Sequence, residues 1–268
     1  MDFGAALLYP FRWLVSAIMI GLHHGLSTAG MPAASGWTWT LSIVGLVLAI
    51  RAALLPLSLQ QIRAQRRLRL LRPDLMKLQE KFRGKTDPLS RQAMAQEQMD
   101  LYKQHGTNPF SACLPALVQV PFFFALFTVL SGIGPAAARG QGLAAMSAEQ
   151  VAQFEASSIF GAPLSASLLN RGPGDPFSVS VLAILMILAM TAAQFITQRH
   201  IMTVSGYGKL SEGPVPAPFV RQRRAVLYVL PVVFGAGGII FPLGVLIYWT
   251  TTNFWTMAQQ FVLDPTPP

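Results

Sequence analysis

Apolar runs that approach 20 residues recur five times along this chain, and they limit the folds open to it more than any other feature. About 20 apolar residues in an α-helix cross the hydrocarbon of a bilayer, and such a helix satisfies its own backbone hydrogen bonds. Charged residues make up only 12% of the sequence, about half the fraction usual in a soluble domain. The sequence therefore predicts an all-α integral membrane protein.

The positions of the apolar runs define the segments of the chain. We predict five transmembrane helices, at residues 37–59, 109–133, 177–198, 225–240 and 241–263. The segments between and beyond them are 60–108, 134–176, 199–224 and a short C-terminal tail at 264–268. A glycine-rich stretch that ends at Pro242 predicts a tight turn between the last two spans.

The N-terminal segment, residues 1–36, contains an apolar stretch of ten residues, from Trp13 to Leu22. Ten residues are too few to cross ~30 Å of hydrocarbon. The stretch has no basic flank, and Asp2 is acidic, so it does not read as an ordinary signal peptide, although a cryptic signal stays open. We therefore predict an interfacial helix on the outer face.

The distribution of Lys and Arg predicts the orientation. Segment 60–108 carries eleven of them and segment 199–224 carries five, whereas segment 134–176 carries two. The positive-inside rule places the first two in the cytoplasm and the third outside. Five spans then put the N-terminus outside and the C-terminus in the cytoplasm of a multi-pass protein. The net charge of +9 lies mainly in these basic segments, which favours contact with anionic lipid over nucleic acid.

The basic segment 60–108 is rich in strong helix formers. Apolar residues recur in it at three- and four-residue spacing, which is one stripe on a helix, at Leu68, Leu71, Leu75, Leu78 and Phe82. A break at Gly84, Asp87 and Pro88 precedes a second helix at residues 89–105. We predict a cytoplasmic helical hairpin, with a solvated charged loop as the alternative.

Arg51 lies inside the first predicted span, with ten apolar or small residues before it and six after it. An arginine at the centre of a span costs about 2.5–3.5 kcal/mol on insertion scales. One explanation is snorkelling, because Leu59 lies about 12 Å further along the helix. The other is a positive charge that lines a water-filled cavity open to the cytoplasm. The sequence pattern alone leaves both open.

Further polar residues lie in the predicted spans. They are Gln119, Gln198 and the run Thr250, Thr251, Thr252 and Asn253, beside Tyr248 and Trp249. Each alone can satisfy a neighbouring helix. Together with Arg51 they can also line one face of a shared groove. No predicted span contains Asp or Glu, so such a groove is net positive. Ion-coupled transporters commonly keep carboxylates at this depth, so their absence weakens that class.

Motifs of enzymes and cofactor sites are missing from the sequence. The pair His23-His24 has no carboxylate or cysteine at a metal-ligand spacing, and the single Cys113 has no disulfide partner within the chain. There is no Walker loop or dinucleotide fingerprint, and no serine is arranged with His and Asp. We therefore expect no enzyme activity, no cofactor and no metal.

Three stretches of the chain resemble the YidC-type membrane insertases, which are related to the Oxa and Albino proteins of organelles. They are IRAALLPLSLQQIRAQRRLRLLRPDLMKLQEKF, NPFSACLPALVQVPFFFALF and FPLGVLIYWTTTNFWTMAQQF. The first joins an intramembrane arginine and a proline to a basic helix. The second carries Asn-Pro, Cys-Leu-Pro and Gln-x-Pro, and the third Pro-x-Gly, Tyr-Trp, Asn and Gln-Gln. The match covers roughly residues 7–261, and the combination in this order is specific although no single piece is.

The resemblance implies a protein of a bacterial plasma membrane that inserts nascent membrane proteins and helps them fold. It implies five core helices around a groove open to cytoplasm and lipid, in a short form without a large outer domain. Arg51 matches the groove arginine of the family and Trp249 an aromatic residue of the last span. Gln198 matches a polar groove residue, with Gln194 as the alternative.

The groove residues predicted in this way are Arg51, Gln119, Gln198, Trp249 and Asn253. The hairpin matches one that receives substrates, which implies a role for its basic residues Arg66, Arg67, Arg69, Arg72, Lys77 and Lys81. The predicted partners are nascent membrane proteins and the bilayer, and the resemblance leaves open whether the Sec channel takes part. The tail DPTPP lacks the basic extension that many members use at ribosomes, which argues against ribosome binding.

Two other functions compete on the bare pattern. A small-solute transporter or channel fits the spans and the polar groups, and a structural factor that only binds membrane proteins fits the hairpin. Without the three matching stretches, the transporter ranks first.

Overall fold

The computed structural model of the chain is mostly helical and describes residues 3–85, 87–106, 114–204, 229, 231–233 and 235–263. We number the helices α1 Phe3–Thr28, α2 Gly36–Ala53, α3 Leu55–Leu70, α4 Arg72–Lys81, α5 Pro88–Gln104, α6 Leu114–Ala138, α7 Ala148–Glu155, α8 Pro176–Val204 and α9 Leu243–Leu263. Two short antiparallel strands, β1 Ser158–Ile159 and β2 Ala162–Pro163, lie between α7 and α8.

Four of the described helices are long and apolar enough to cross a membrane. These segments are Ala6–Thr28, Gly36–Ala53, Val118–Ala138 and Pro176–Thr203. They confirm the predicted class, an all-α membrane protein. The predicted span at 225–240 falls mostly outside the described residues. Helix α9 lies at the predicted fifth span but is not among the four, and its polar run at residues 250–253 lowers its hydropathy. The number of five spans therefore stays a prediction.

Helix α1 is longer than the sequence indicated. It has 26 residues, whereas the prediction of an interfacial helix rested on an apolar stretch of ten. Its segment Ala6–Thr28 is long enough to span a bilayer, so length no longer argues for an interfacial position. The helix packs against α2 and α6, where the Leu22 side chain lies against Gly45 and the Phe11 ring meets Phe122 edge-on at 5.3 Å. Its placement relative to the bilayer stays a prediction.

Helices α2, α6 and α9 enclose the core, and α8 packs along α9. Large side chains that are almost fully buried line this core, among them Trp39, Ile43, Leu46, Leu126, Leu130, Leu243 and Leu246. Lipid tails are as apolar as these side chains, so helix association in a membrane depends on close packing and on polar contacts. The buried face of α9 is continuous over its first two turns, from Leu243 to Trp249.

A break separates α2 from α3 directly after Arg51. Pro56 lies in the first turn of α3, and because proline has no N–H, its bond to the carbonyl of Ala52 cannot form. The backbone ladder closes on both sides, since Leu54 N–H donates to Ile50 O and Ser58 N–H donates to Leu54 O, both at 3.0 Å. The arginine therefore lies in the last turn of α2, next to a bend in the chain.

The predicted hairpin region contains three helices, α3, α4 and α5. The apolar stripe predicted on one helix is split between α3 and α4, which meet at the buried Leu71. Pro73, in the first turn of α4, accounts for the break because it cannot donate to the preceding turn.

Helices α4 and α5 pack against each other across the predicted turn. Gly84 has a φ of +79°, and the Asp87 carboxylate accepts a hydrogen bond of 2.8 Å from the Ser90 N–H, which caps α5. These hydrogen bonds from Ser90 lower the pKa of Asp87. Lys81 and Glu97 form an ion pair of 2.6 Å between the two helices.

The segment of residues 139–175, which we call the cap, is folded rather than an open loop. A capping box of Ser147 and Gln150 starts its helix α7. The cap closes over one end of the bundle, where the Phe154 ring meets Trp39 at 5.2 Å. The first two N–H groups of α9 donate to cap carbonyls, from Leu243 to Ala166 and from Gly244 to Leu164, both at 2.8 Å.

Gly36, the first residue of α2, tests how closely the cap packs on the bundle. A Cβ at this position lies 2.1 Å from the carbonyl oxygen of Ser158 in β1. We expect Gly36→Ala to destabilise the protein by about 1–3 kcal/mol, because backbone has to move. Thermal unfolding of the purified protein in detergent measures the loss.

Gly25→Ala in α1 is the matched control, because a Cβ there meets no atom within 4 Å. Alanine favours a helix by about 1 kcal/mol over glycine, so no loss is expected. Equal stability of Gly36→Ala and the wild type would contradict the close contact between cap and bundle.

Candidate functional site

Arg51 lies in a pocket where α2, α6 and α9 meet. Each helix contributes apolar side chains and at least one polar group to the lining, which consists of Val47, Ile50, Arg51, Gln119, Phe122, Leu126, Tyr248 and Thr252. Tyr248 and Thr252 are four residues apart on α9 and therefore share one face of that helix. The polar members other than the arginine are all neutral.

The guanidinium of Arg51 has no carboxylate partner. The side chain is half-buried, and the ion pairs found among the described residues all lie in the hairpin region between Asp74 and Lys103. The phenol of Tyr248 is the group that interacts with Arg51, and the side chains of Gln119 and Thr252 lie beside that phenol. The positive charge is therefore surrounded by neutral dipoles.

The pocket is narrow. The space open to the centre of a water molecule is about 10 Å³, which is room for about one water. One water is enough to hydrate a guanidinium that has few protein partners, but it does not make an open channel. The groups described here therefore form a small polar recess in an otherwise apolar junction of helices.

The other predicted groove residues lie elsewhere. Trp249 packs in an aromatic cluster, with its ring 5.7 Å from Phe123 and 5.4 Å from Phe241. The Asn253 side chain donates to the carbonyl of Trp249 at 2.9 Å, within its own helix. Gln198 lies half-buried on α8 and does not line the pocket. Of the five predicted groove residues, the structure brings Arg51 and Gln119 to one pocket.

Two lining residues, Tyr248 and Thr252, were missing from the predicted site although both lie in the polar run of the last span. Their spacing of four residues was the available signal, because it places them on one helical face. Trp249 and Asn253 have the same spacing, and the sequence does not say which of the two faces turns toward Arg51.

The basic residues of the hairpin region are partly engaged. Arg66 donates to the backbone carbonyl of Leu263, the last residue of α9, and a cation is favourable at a helix C-terminus. Lys77 pairs with Asp74 at 3.2 Å, and Lys81 pairs with Glu97. Arg67 is exposed. Arg69 and Arg72 lie on α3 and α4, and their side chains fall outside the part that the structure describes.

Gln119→Glu tests whether the charge of Arg51 lacks a partner. This substitution keeps the shape of the side chain and adds a carboxylate to the pocket. We expect the protein to gain about 1–3 kcal/mol of stability, the range for hydrogen bonds to charged groups. Thermal unfolding in detergent measures it, with the same change at the exposed Gln141 of the cap as control. A less stable Gln119→Glu protein would show that the guanidinium is already compensated or out of reach.

Comparison with known proteins places the chain in a family. The family model described as 60Kd inner membrane protein matches residues 31–266. Proteins named membrane protein insertase YidC are similar over nearly the whole chain. The one from Streptomyces avermitilis is 40% identical over 98% of this chain and 60% of its own length. Those from Tropheryma whipplei and Bifidobacterium longum are 37% and 30% identical, over 99% and 97% of this chain and 87% and 77% of their own lengths.

The chain thus spans 60% of the Streptomyces relative and most of the other two. The family model covers both the pocket and the cap. The resemblance seen in the three sequence stretches is confirmed. The chain belongs to the 60Kd inner membrane protein family, the family of the YidC-type membrane protein insertases.

Proposed function

We propose that this chain inserts nascent membrane proteins into a bacterial plasma membrane, and that the Arg51 pocket receives the polar part of the incoming chain. The observation that carries the proposal is a half-buried guanidinium with neutral polar neighbours and no carboxylate partner. The names of the relatives support the same activity. Because the chain covers only part of the Streptomyces relative, clients and partners are inferred from the pocket rather than carried over.

The charge balance explains why an unpaired arginine is useful. An acidic side chain at the centre of the bilayer costs roughly 2.5–3.5 kcal/mol on insertion scales. Attraction between unit charges 4 Å apart is about 4 kcal/mol at an effective dielectric constant of 20. One guanidinium therefore offsets about one acidic group in transit. A resident carboxylate would remove this attraction, whereas Gln119, Tyr248 and Thr252 leave the positive charge available.

Lipid-facing helices supply the other half of the mechanism. Large apolar side chains on α8 point away from the bundle, and Leu185 and Leu188 expose 58% and 60% of their surface. We propose that the apolar part of the client partitions into lipid beside α8 and α9, which provides the driving force. No bond is made or broken in this mechanism.

The hairpin region is proposed to meet the client first. Its basic residues lie where the positive-inside rule expects cytoplasm, and Arg67 is exposed for contact with acidic groups. The tie between Arg66 and the end of α9 connects this region to the helix that carries Tyr248 and Thr252. We propose a cytoplasmic C-terminus on the same ground. An N-terminus outside the cell follows only if α1 is interfacial, so we propose it together with that placement.

Replacement of Arg51 tests the electrostatic part directly. We expect Arg51→Ala to lower insertion of a client with an acidic N-terminal tail at least ~10-fold, since loss of 1.4 kcal/mol is a factor of ten. Arg51→Lys should keep most activity, because it keeps the charge. A client with a neutral tail should be less affected. The measurement is insertion into liposomes that contain the purified variants.

Arg139→Ala is the matched control, since it removes an exposed arginine of the cap. The more stable Gln119→Glu variant should resemble Arg51→Ala in this assay, which separates loss of charge from loss of fold. Full activity of Arg51→Ala with the acidic client would contradict the proposal. Solute flux through these liposomes without insertion would favour a channel instead.

A further inference from the structure

An exposed phenylalanine occupies the turn between β1 and β2 in the cap. The turn residues Phe160 and Gly161 both have positive φ, at +51° and +78°. Glycine adopts this region freely, but a bulky residue is disfavoured there, and such turns favour Asn or Asp at the first position. Phe160 also exposes 70% of its surface. Packing in the core therefore does not explain why an aromatic residue stands at this turn.

The turn lies between the beginnings of two membrane-length helices. The Phe160 ring meets the ring of Trp37, in the first turn of α2, edge-on at 5.2 Å. On the other side, a Cβ at Gly161 lies 3.7 Å from the hydroxyl of Ser178, in the first turn of α8. The chain crosses the membrane twice between these two points, through α2 and α6. Both helices therefore begin on the same side of the bilayer, at the level where the hydrocarbon ends.

Exposed aromatic rings collect at this level. Trp37, Phe160 and Phe177 expose 46%, 70% and 75% of their surface. Aromatic residues are enriched at the ends of membrane spans, where the rings lie among lipid headgroups. The rings of Trp37 and Phe177 belong to the first turns of spans, so the bilayer interface reaches them. The Phe160 ring, in contact with Trp37, is continuous with that surface.

We propose that the β1–β2 turn is a lipid anchor, with Phe160 inserted at the boundary between headgroups and acyl chains beside α2 and α8. The anchor holds the cap on the bundle from the lipid side. From the protein side, the cap is held by Phe154 against Trp39 and by the carbonyls that receive the first N–H groups of α9. The partner is the bilayer surface itself. This inference rests on the membrane-spanning fold and not on the proposed insertion activity.

A fluorescent label at the turn tests the anchor. In the full chain with Cys113→Ser, Phe160→Cys is labelled with nitrobenzoxadiazole and reconstituted in vesicles of phosphatidylcholine and phosphatidylglycerol. We expect blue-shifted emission that lipids with a spin label near the headgroup quench at least twofold. Glu149→Cys on α7, which is exposed in the same cap, is the control and should emit as in water.

A second variant avoids both the label and the replacement of Cys113. Phe160→Trp adds a fluorophore to the otherwise native chain, and the emission it adds should be quenched in vesicles made with brominated lipid. Emission at residue 160 equal to that at residue 149, or no quenching by brominated lipid, would overturn the proposal. Shielding that appears only when other membrane proteins are added would also overturn it, in favour of a protein partner.

Discussion

A positive charge that has no carboxylate partner, placed where three membrane helices meet, is the constraint on which the rest of this structure depends. Arginine at membrane depth is costly, and burial among neutral groups is tolerated only if dipoles and water take the place of bulk solvent. Gln119, Tyr248 and Thr252 provide the dipoles, and the recess has room for about one water. The arrangement is stable enough to persist and still leaves the charge open to an acidic group that enters.

The fold holds this charge in place from both directions along the bundle. On one side, Pro56 breaks the helix directly after the turn that carries Arg51. Arg66 then joins α3 to the end of α9. On the other side, the cap binds the first N–H groups of α9 and packs Phe154 on Trp39. Helix α9 is therefore fixed at both ends, which sets the register of Tyr248 and Thr252 opposite Arg51.

The sequence predicted the membrane class, the family and the importance of Arg51, because long apolar runs and an isolated charge within them have few explanations in lipid. It did not predict which face of α9 turns to the pocket, since Tyr248 and Trp249 begin two equally polar faces and only packing against α6 separates them. The length of α1 was underestimated because polar residues such as His23 and Ser16 interrupt its apolar pattern. Both are satisfied locally, by the carbonyl of Ala33 and by carbonyls of the preceding turn. The cap was predicted as a loop because its strands are only two residues long.

Hydration of the Arg51 pocket is the central claim, and thiol chemistry measures it directly. In the chain with Cys113→Ser, a cysteine replaces Thr252 in the pocket or Leu188 on the lipid-facing side of α8. A charged reagent that cannot cross membranes is added to inverted vesicles, which expose the cytoplasmic face. The account predicts that the cysteine at residue 252 reacts, because water reaches it, and that the one at residue 188 does not. Equal lack of reaction at both positions would show a dry pocket and contradict the account.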